Sequence, residues 1–329
     1  MPKEENIVCL GIGSGRISFL EAIKFSPVKN IPSSIQIVRY NSQDISENLE
    51  EGLTSYLGAI KGKRSKIRCS LGGQDTVIRF VDMPKMSYSD FKSALKFEVD
   101  KYMPFPVEEV YFDGDILAES EQNMKVVIVA AKKNLINKIL KVFEENGVVP
   151  ESLELDNISL INLYTYYFGS EYRNDTVCLL NISEIYSSIN IIENNIPVLS
   201  RIINIGKDYI LKQVGTKGDT SIEESSAARS SISQLSIDTA ANLFQDFFHD
   251  IRMTLDYYEV QSGKRTQKII LTGMGSDFES LDKIMEKGIG ADTEFLKVSD
   301  SLNFSSSTEK EDFSKQERFF HICLGSLLR

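Results

Sequence analysis

The feature that most constrains this chain is a strand–turn–strand–strand pattern that occurs twice. Apolar, β-branched runs at residues 7–12, 17–25 and 34–40 read as three strands. The glycines Gly11, Gly13 and Gly15 lie at the turn between the first two. The second half opens the same way, with strands predicted at 176–182, 187–192 and 197–203. Asn194-Asn195 supplies the two-residue hairpin turn between the last two, because asparagine tolerates the positive φ that such turns demand. A chain that begins each half with one β-meander and follows it with helices divides into two related α/β parts.

Composition narrows the function classes. With 329 residues the chain is long enough for two lobes, and its 42% hydrophobic and 26% charged fractions are those of a globular protein. A net charge of −10 without a sustained basic block argues against general nucleic-acid binding. Cys9, Cys69, Cys178 and Cys323 are far apart among apolar neighbours and read as buried free thiols. With two histidines, His249 and His321, neither a zinc site nor a hydrolase triad has support. The acidic start does not read as a signal peptide, and no run of about 18 apolar residues predicts a membrane span.

Between the meanders the pattern alternates. A helix is predicted from a cap at Ser42 or Asp44 to about residue 57, then strands at 67–71, closed by Gly72-Gly73, and at 77–81, closed by Pro84. Ser87 or Ser89 caps a helix whose stripe is Phe91, Ala94, Leu95, Val99 and Tyr102, stopped by Met103-Pro104-Phe105-Pro106. Strands at 109–117 and 125–130, a helix at 135–145 ending on Gly147, a strand at 151–155 and a helix at 159–167 follow. After the second meander a helix starts near Gly206, and 215–236 reads as a polar loop. Residues 237–258 form the strongest helical pattern, with Ala241, Phe244, Phe248, Ile251, Leu255 and Tyr258 on one face. A strand at 268–271, helices at 278–287 and 314–328, and a polar stretch at 299–307 complete the chain.

Several blocks carry a family resemblance: Val81-Asp82-Met83-Pro84-Lys85-Met86, the run 97–110 with Tyr102-Met103-Pro104-Phe105-Pro106-Val107-Glu108-Glu109, Val129-Ala130-Ala131-Lys132-Lys133, Glu154-Leu155-Asp156, residues 251–258, and the end Leu324-Gly325-Ser326-Leu327-Leu328-Arg329. In this order they resemble the PilM family of type IV pilus assembly proteins. The resemblance implies a two-lobed actin-like ATPase fold, related to FtsA, with a small inserted α+β subdomain. Its expected divisions are 1–75 (first lobe), 76–150 (insert), 151–175 (first-lobe helix), 176–310 (second lobe) and 311–329 (a helix returning to the first). It also implies a scaffold of the inner-membrane alignment complex, cytoplasmic, which binds the cytoplasmic tail of a PilN-like membrane protein. The insert would receive that tail as an extended peptide, with Tyr102, Met103 and Phe105 as candidates to line the pocket.

In an actin-like fold the phosphates of ATP lie against two hairpins, which need close backbone N–H groups and carboxylates for hydrated Mg²⁺. The candidate nucleotide-binding residues are Gly13, Ser14 and Gly15 in the first hairpin, Asn181 and Ser183 in the second, then Gly206, Lys207, Gly273 and Gly275. The family aspartates are missing: Gly11 and Asn181 stand in their places, and Ser183 replaces a glycine. Gly15 and Gly275 read equally as tight-turn residues, and Lys207 as solvated or phosphate-facing. The expectation is a degenerate ATPase site with no catalytic residue and no metal, and ATP with Mg²⁺ bound weakly or not at all. The alternatives are an ATP-binding or weakly hydrolysing actin-like protein, a filament former, or the equivalent adaptor of a type II secretion system.

Overall fold

The computed structural model describes residues 4–13, 15–26, 34–45, 49–60, 65–217, 236–273 and 280–329. They form two compact units, Met1–Leu163 with Ser299–Arg329, and Tyr164–Val298. The second segment of the first unit begins at Ser299. Its anchor is Asn303, whose carbonyl accepts from Ile37 N–H at 2.9 Å.

In the first unit, strands β1 (Glu4–Ile12), β2 (Arg16–Phe25), β3 (Ser34–Asp44), β4 (Lys66–Leu71) and β8 (Ser152–Leu155) form a sheet in the order β3-β2-β1-β4-β8. Ile7, Val8, Cys9 and Leu10 are wholly buried, as a central strand covered on both faces requires. One face packs on helices α1 (Leu49–Ile60) and α3 (Lys133–Glu145) through Leu53, Leu57, Ile139 and Phe143. The last helix, α10 (His321–Leu327), packs against β1, β2 and β4. Arg68 of β4 holds the end of α10, donating to the carbonyls of Ser326 (2.9 Å) and Arg329 (3.3 Å), and it pairs with Glu151. A guanidinium there satisfies helix carbonyls that otherwise lack partners.

The insert is a three-stranded sheet, β5 (Thr76–Pro84), β7 (Asn123–Lys132) and β6 (Val110–Glu119), in the order β5-β7-β6. Helix α2 (Tyr88–Glu98) starts at Ser87, whose hydroxyl accepts from Asp90 N–H. Its stripe Phe91, Leu95 and Val99 packs on Met83, Met124, Val126 and Ile128. The opposite face, through Ile78, Val127 and Ala131, joins the core under α1 and α3.

In the second unit, β9 (Thr176–Ile182), β10 (Ser187–Glu193), β11 (Ile196–Ile203), β12 (Lys268–Gly273) and β13 (Asp292–Phe295) form a sheet in the order β11-β10-β9-β12-β13. This repeats the strand order of the first sheet, and the register repeats too: Gly11 faces Ser18 as Asn181 faces Ser188. Asn194 and Asn195 have φ of 51° and 65°, the geometry expected of that turn. Helices α6 (Ile237–Leu243), α7 (Gln245–Ser262) and α8 (Leu281–Ile289) cover one face with Phe244, Phe247, Phe248, Ile251 and Met285. Each such buried side chain stabilises by roughly 1.5–3 kcal/mol.

Some helix limits differ from those read in the sequence. Residues 237–258 are two helices rather than one, broken at Phe244 (φ −97°, ψ 21°), while the predicted stripe stays buried apart from Leu255, which is half-buried. The helix predicted at 314–328 is a 3₁₀ turn at Glu317–Phe319 followed by α10, and a separate helix not read in the sequence, α9 (Ser307–Ser314), precedes it. Ser42 and Asp44 belong to β3, and both hold the Arg16 side chain. Most of the predicted loop 215–236 lies outside the described residues.

Candidate functional site: two equivalent strand-end hairpins

Parallel strands β1, β4 and β8 end together in the first unit, as β9, β12 and β13 do in the second. Ligands of open α/β sheets gather outside such carboxyl ends. In the first unit the turn after β1 closes by Gly13 N–H donating to the Arg16 carbonyl at 2.8 Å. A Cβ on Gly13 would lie 3.2 Å from that same carbonyl oxygen. Arg16 is tied down by Ser42 (2.9 Å), by Asp44 and by the Phe319 ring, 4.1 Å from its guanidinium. Gly15 accepts from Ile45 N–H at 2.9 Å, and Ser14 lies outside the described residues. At Gly11, where the resemblance implies aspartate, a Cβ would meet Cys323 Sγ at 3.3 Å and Ile322 at 3.6 Å.

The second hairpin copies this closure, with Ser183 N–H donating to the Tyr186 carbonyl at 2.9 Å. Asn181, Ser183, Gly206, Lys207 and Gly273 do come together around it. Asn181 Nδ2 donates to Ser183 Oγ at 3.4 Å. Asn181 Oδ1 lies 2.2 Å from the point a Cβ on Gly273 would take, and Gly273 has φ +74°, so only glycine fits there. Gly206 is equally constrained, its Cβ position lying 2.5 Å from the Glu184 carbonyl oxygen. The first amides of α5 (Lys207–Lys217) are used within the unit: Lys207 N–H donates to Ser183 O at 2.8 Å and Asp208 N–H to Glu184 O at 2.9 Å. Lys207 is buried, not solvated. Gly275 lies outside the described residues.

These residues do not fit Mg²⁺-ATP well. Neutral Gly11 and Asn181 stand where the resemblance implies carboxylates, and the amides of Gly13, Ser183, Lys207 and Asp208 donate to carbonyls of their own unit. Among the described residues no group of three or more His, Cys, Asp or Glu side chains converges on a metal position. The four thiols are buried and free, and burial pushes Cys178 up to about 12. The strand-end acid that sequence reading left without a role is Asp156. It is buried at the start of α4 (Asp156–Phe168), accepting from Asn157 N–H at 2.7 Å. Beside it Ser70 bonds Ser159 at 2.8 Å.

In the insert, Tyr102 and Met103 are half-buried against the core of α2. Phe105 is half-buried with Lys132 Nζ 4.7 Å from its ring centre. Phe97, not singled out from sequence, is 81% exposed on α2. Its only signal was its position off the apolar stripe.

The repeated sheet and its paired hairpins define an actin-like α/β protein with an inserted subdomain. A family profile described as "Type IV pilus assembly protein PilM" matches residues 24–329. The chain belongs to that family. Among solved structures it is similar to a "PilM-PilN type IV pilus biogenesis complex", with TM-score 0.76 and 16% identity over 98% of this chain and 97% of that one. A Bacteroides thetaiotaomicron protein with an actin-like ATPase fold aligns with TM-score 0.49 and 13% identity over 91% and 92% of the two chains. The cytoplasmic domain of EpsL from the Vibrio cholerae type II secretion system gives TM-score 0.44 and 8% identity over 96% and 98%.

Proposed function

We propose that the protein is the actin-like scaffold of a type IV pilus inner-membrane assembly complex, and that it captures the cytoplasmic tail of a PilN-like membrane protein. The observation that carries this is the family match over residues 24–329, with the fold shared nearly end to end with a PilM that was solved with PilN. No helix among the described residues is long and apolar enough to cross a membrane, so a membrane-anchored partner supplies the attachment. The tail docks on the insert, where the most family-specific block lies. Phe105 is the better anchor of the three candidates, since Tyr102 and Met103 pack on the subdomain's own core.

Nucleotide has a minor part in this reading. Two hairpins with Gly11 and Asn181 in place of aspartates, and with Glu184 one turn position beyond Ser183 as the remaining carboxylate, support weak Mg²⁺-ATP binding and no turnover. The test is co-purification of the chain with an immobilised tail, beside Phe105→Ala. Capture by the parent and loss in a normally folded variant support the reading, because truncating an anchor costs about 2 kcal/mol, roughly thirtyfold. Failure of the parent to be retained contradicts it.

A further inference from the structure

Helix α7 gives Phe247, Ile251 and Tyr258 to the core of the second unit, and it carries a second apolar stripe that the core does not use. Met253, Tyr257 and Val260, at i, i+4 and i+7, are 52%, 58% and 80% exposed. At about 100° per residue they fall within about 60° of one another and span about 10 Å of the helix. One exposed apolar side chain is ordinary, but three in line form a patch. Helix formation does not ask for them, since tyrosine and valine are weaker helix formers than lysine or glutamate. Residues 251–258 also carry part of the resemblance to the PilM family, and packing within the unit leaves Met253, Asp256 and Tyr257 unexplained.

The charge around this stripe has one sign. Asp250 and Asp246 lie about one and two turns before Met253, and Asp256 and Glu259 border the stripe itself. The nearby arginines are engaged elsewhere: Arg252 donates to the Gly288 carbonyl of α8, and Arg201 donates to Thr254 Oγ1 at 3.1 Å. Other acids of this unit have lysine partners, Glu193 with Lys264, Glu294 with Lys268 and Asp238 with Lys287. No described lysine or arginine pairs with Asp250, Asp256 or Glu259. An anionic membrane surface would be repelled by such a face. A second copy set face to face would bring the same acids together.

We propose that α7 is the docking face for a basic amphipathic helix of a protein partner. Apolar residues of that helix pack between Met253, Tyr257 and Val260, and its lysines or arginines meet Asp250, Asp256 and Glu259. The ligand is a helix and not a strand, because the backbone groups of α7 are spent within the helix and offer no edge to extend. Tyr257 is the central anchor, with a broad ring in the middle of the stripe. The face lies in the second unit and the insert in the first, so this contact does not depend on tail capture.

Fluorescence anisotropy on the full chain tests this with a labelled helical peptide of about five turns, leucine on one face and lysine and arginine beside it. The control is the same peptide with glutamate at every basic position. The basic peptide should bind saturably and at least tenfold tighter than the acidic one. Tyr257→Ala should weaken it about tenfold, and Met253→Ala with Val260→Ala severalfold, with unchanged melts because all three side chains are exposed. Asp256→Asn with Glu259→Gln should weaken it and flatten its salt dependence. Phe97→Ala, which removes an equally exposed side chain from the insert, should change nothing. The Tyr257→Ala chain should still be retained by an immobilised PilN-like tail. No binding of the basic peptide, or equal affinity in the parent and both stripe variants, overturns the proposal. Self-association of the parent that Tyr257→Ala abolishes gives the face to a second copy, and loss of tail capture in that variant gives it to the tail; either result overturns it.

Discussion

Cys323 Sγ stands 3.3 Å from the position that a Cβ on Gly11 would occupy. The last helix therefore fills the space into which a side chain at residue 11 would project from the first hairpin. Gly11→Asp would push a carboxylate into a layer formed by Cys323, Ile322 and Ser18. The expected result is a loss of about 3–5 kcal/mol in chemical denaturation, the scale of an uncompensated buried charge. A variant that keeps its stability and gains Mg²⁺ affinity would show that the hairpin remains a metal seat.

Gly325 and Gly58 should respond in opposite directions to alanine. At Gly325 in α10 a Cβ would lie 1.8 Å from the Ser159 carbonyl oxygen, so the two helices must separate. At Gly58 in α1 nothing lies within 4 Å. Gly325→Ala should destabilise by about 1–3 kcal/mol through overpacking, and Gly58→Ala should stabilise by roughly 0.5–1 kcal/mol through helix propensity. Paired thermal melts measure both.

The legible part of the fold followed from local pattern. Alternating β-branched residues and the turn residues Gly13, Gly15 and Asn194-Asn195 mark both meanders, and the stripe from Ala241 to Tyr258 marks a buried helical face. The break at Phe244 was invisible, because the apolar spacing continues across it. Asn181, Ser183, Gly206 and Gly273 were legible as a cluster through the equivalence of the two hairpins. That their backbone groups satisfy one another was not, since Lys207 meets Ser183 and Gly11 meets Cys323 only after the sheets form.

His321 gives a pH dependence with a definite sign. Burial, with Arg318 nearby, lowers it to about 3, so the folded state keeps it neutral while the unfolded chain takes up a proton below about 6.5. Its contribution is intact above that value and is lost as pH falls towards 3. The slope is at most ~1.4 kcal/mol per pH unit. Denaturant titrations of the parent and of His321→Asn between pH 7 and pH 4.5 should show a shallower acid loss in the variant. Equal slopes would mean that His321 is protonated in the fold.

The central claim is that this PilM-family chain captures a PilN-like tail without help from nucleotide. Calorimetric titration of the tail peptide into the nucleotide-free protein tests it most directly, followed by the same titration with saturating Mg²⁺-ATP. The account predicts saturable binding with one peptide per chain and an affinity unchanged by Mg²⁺-ATP. No binding, or binding that appears only with Mg²⁺-ATP present, would contradict it.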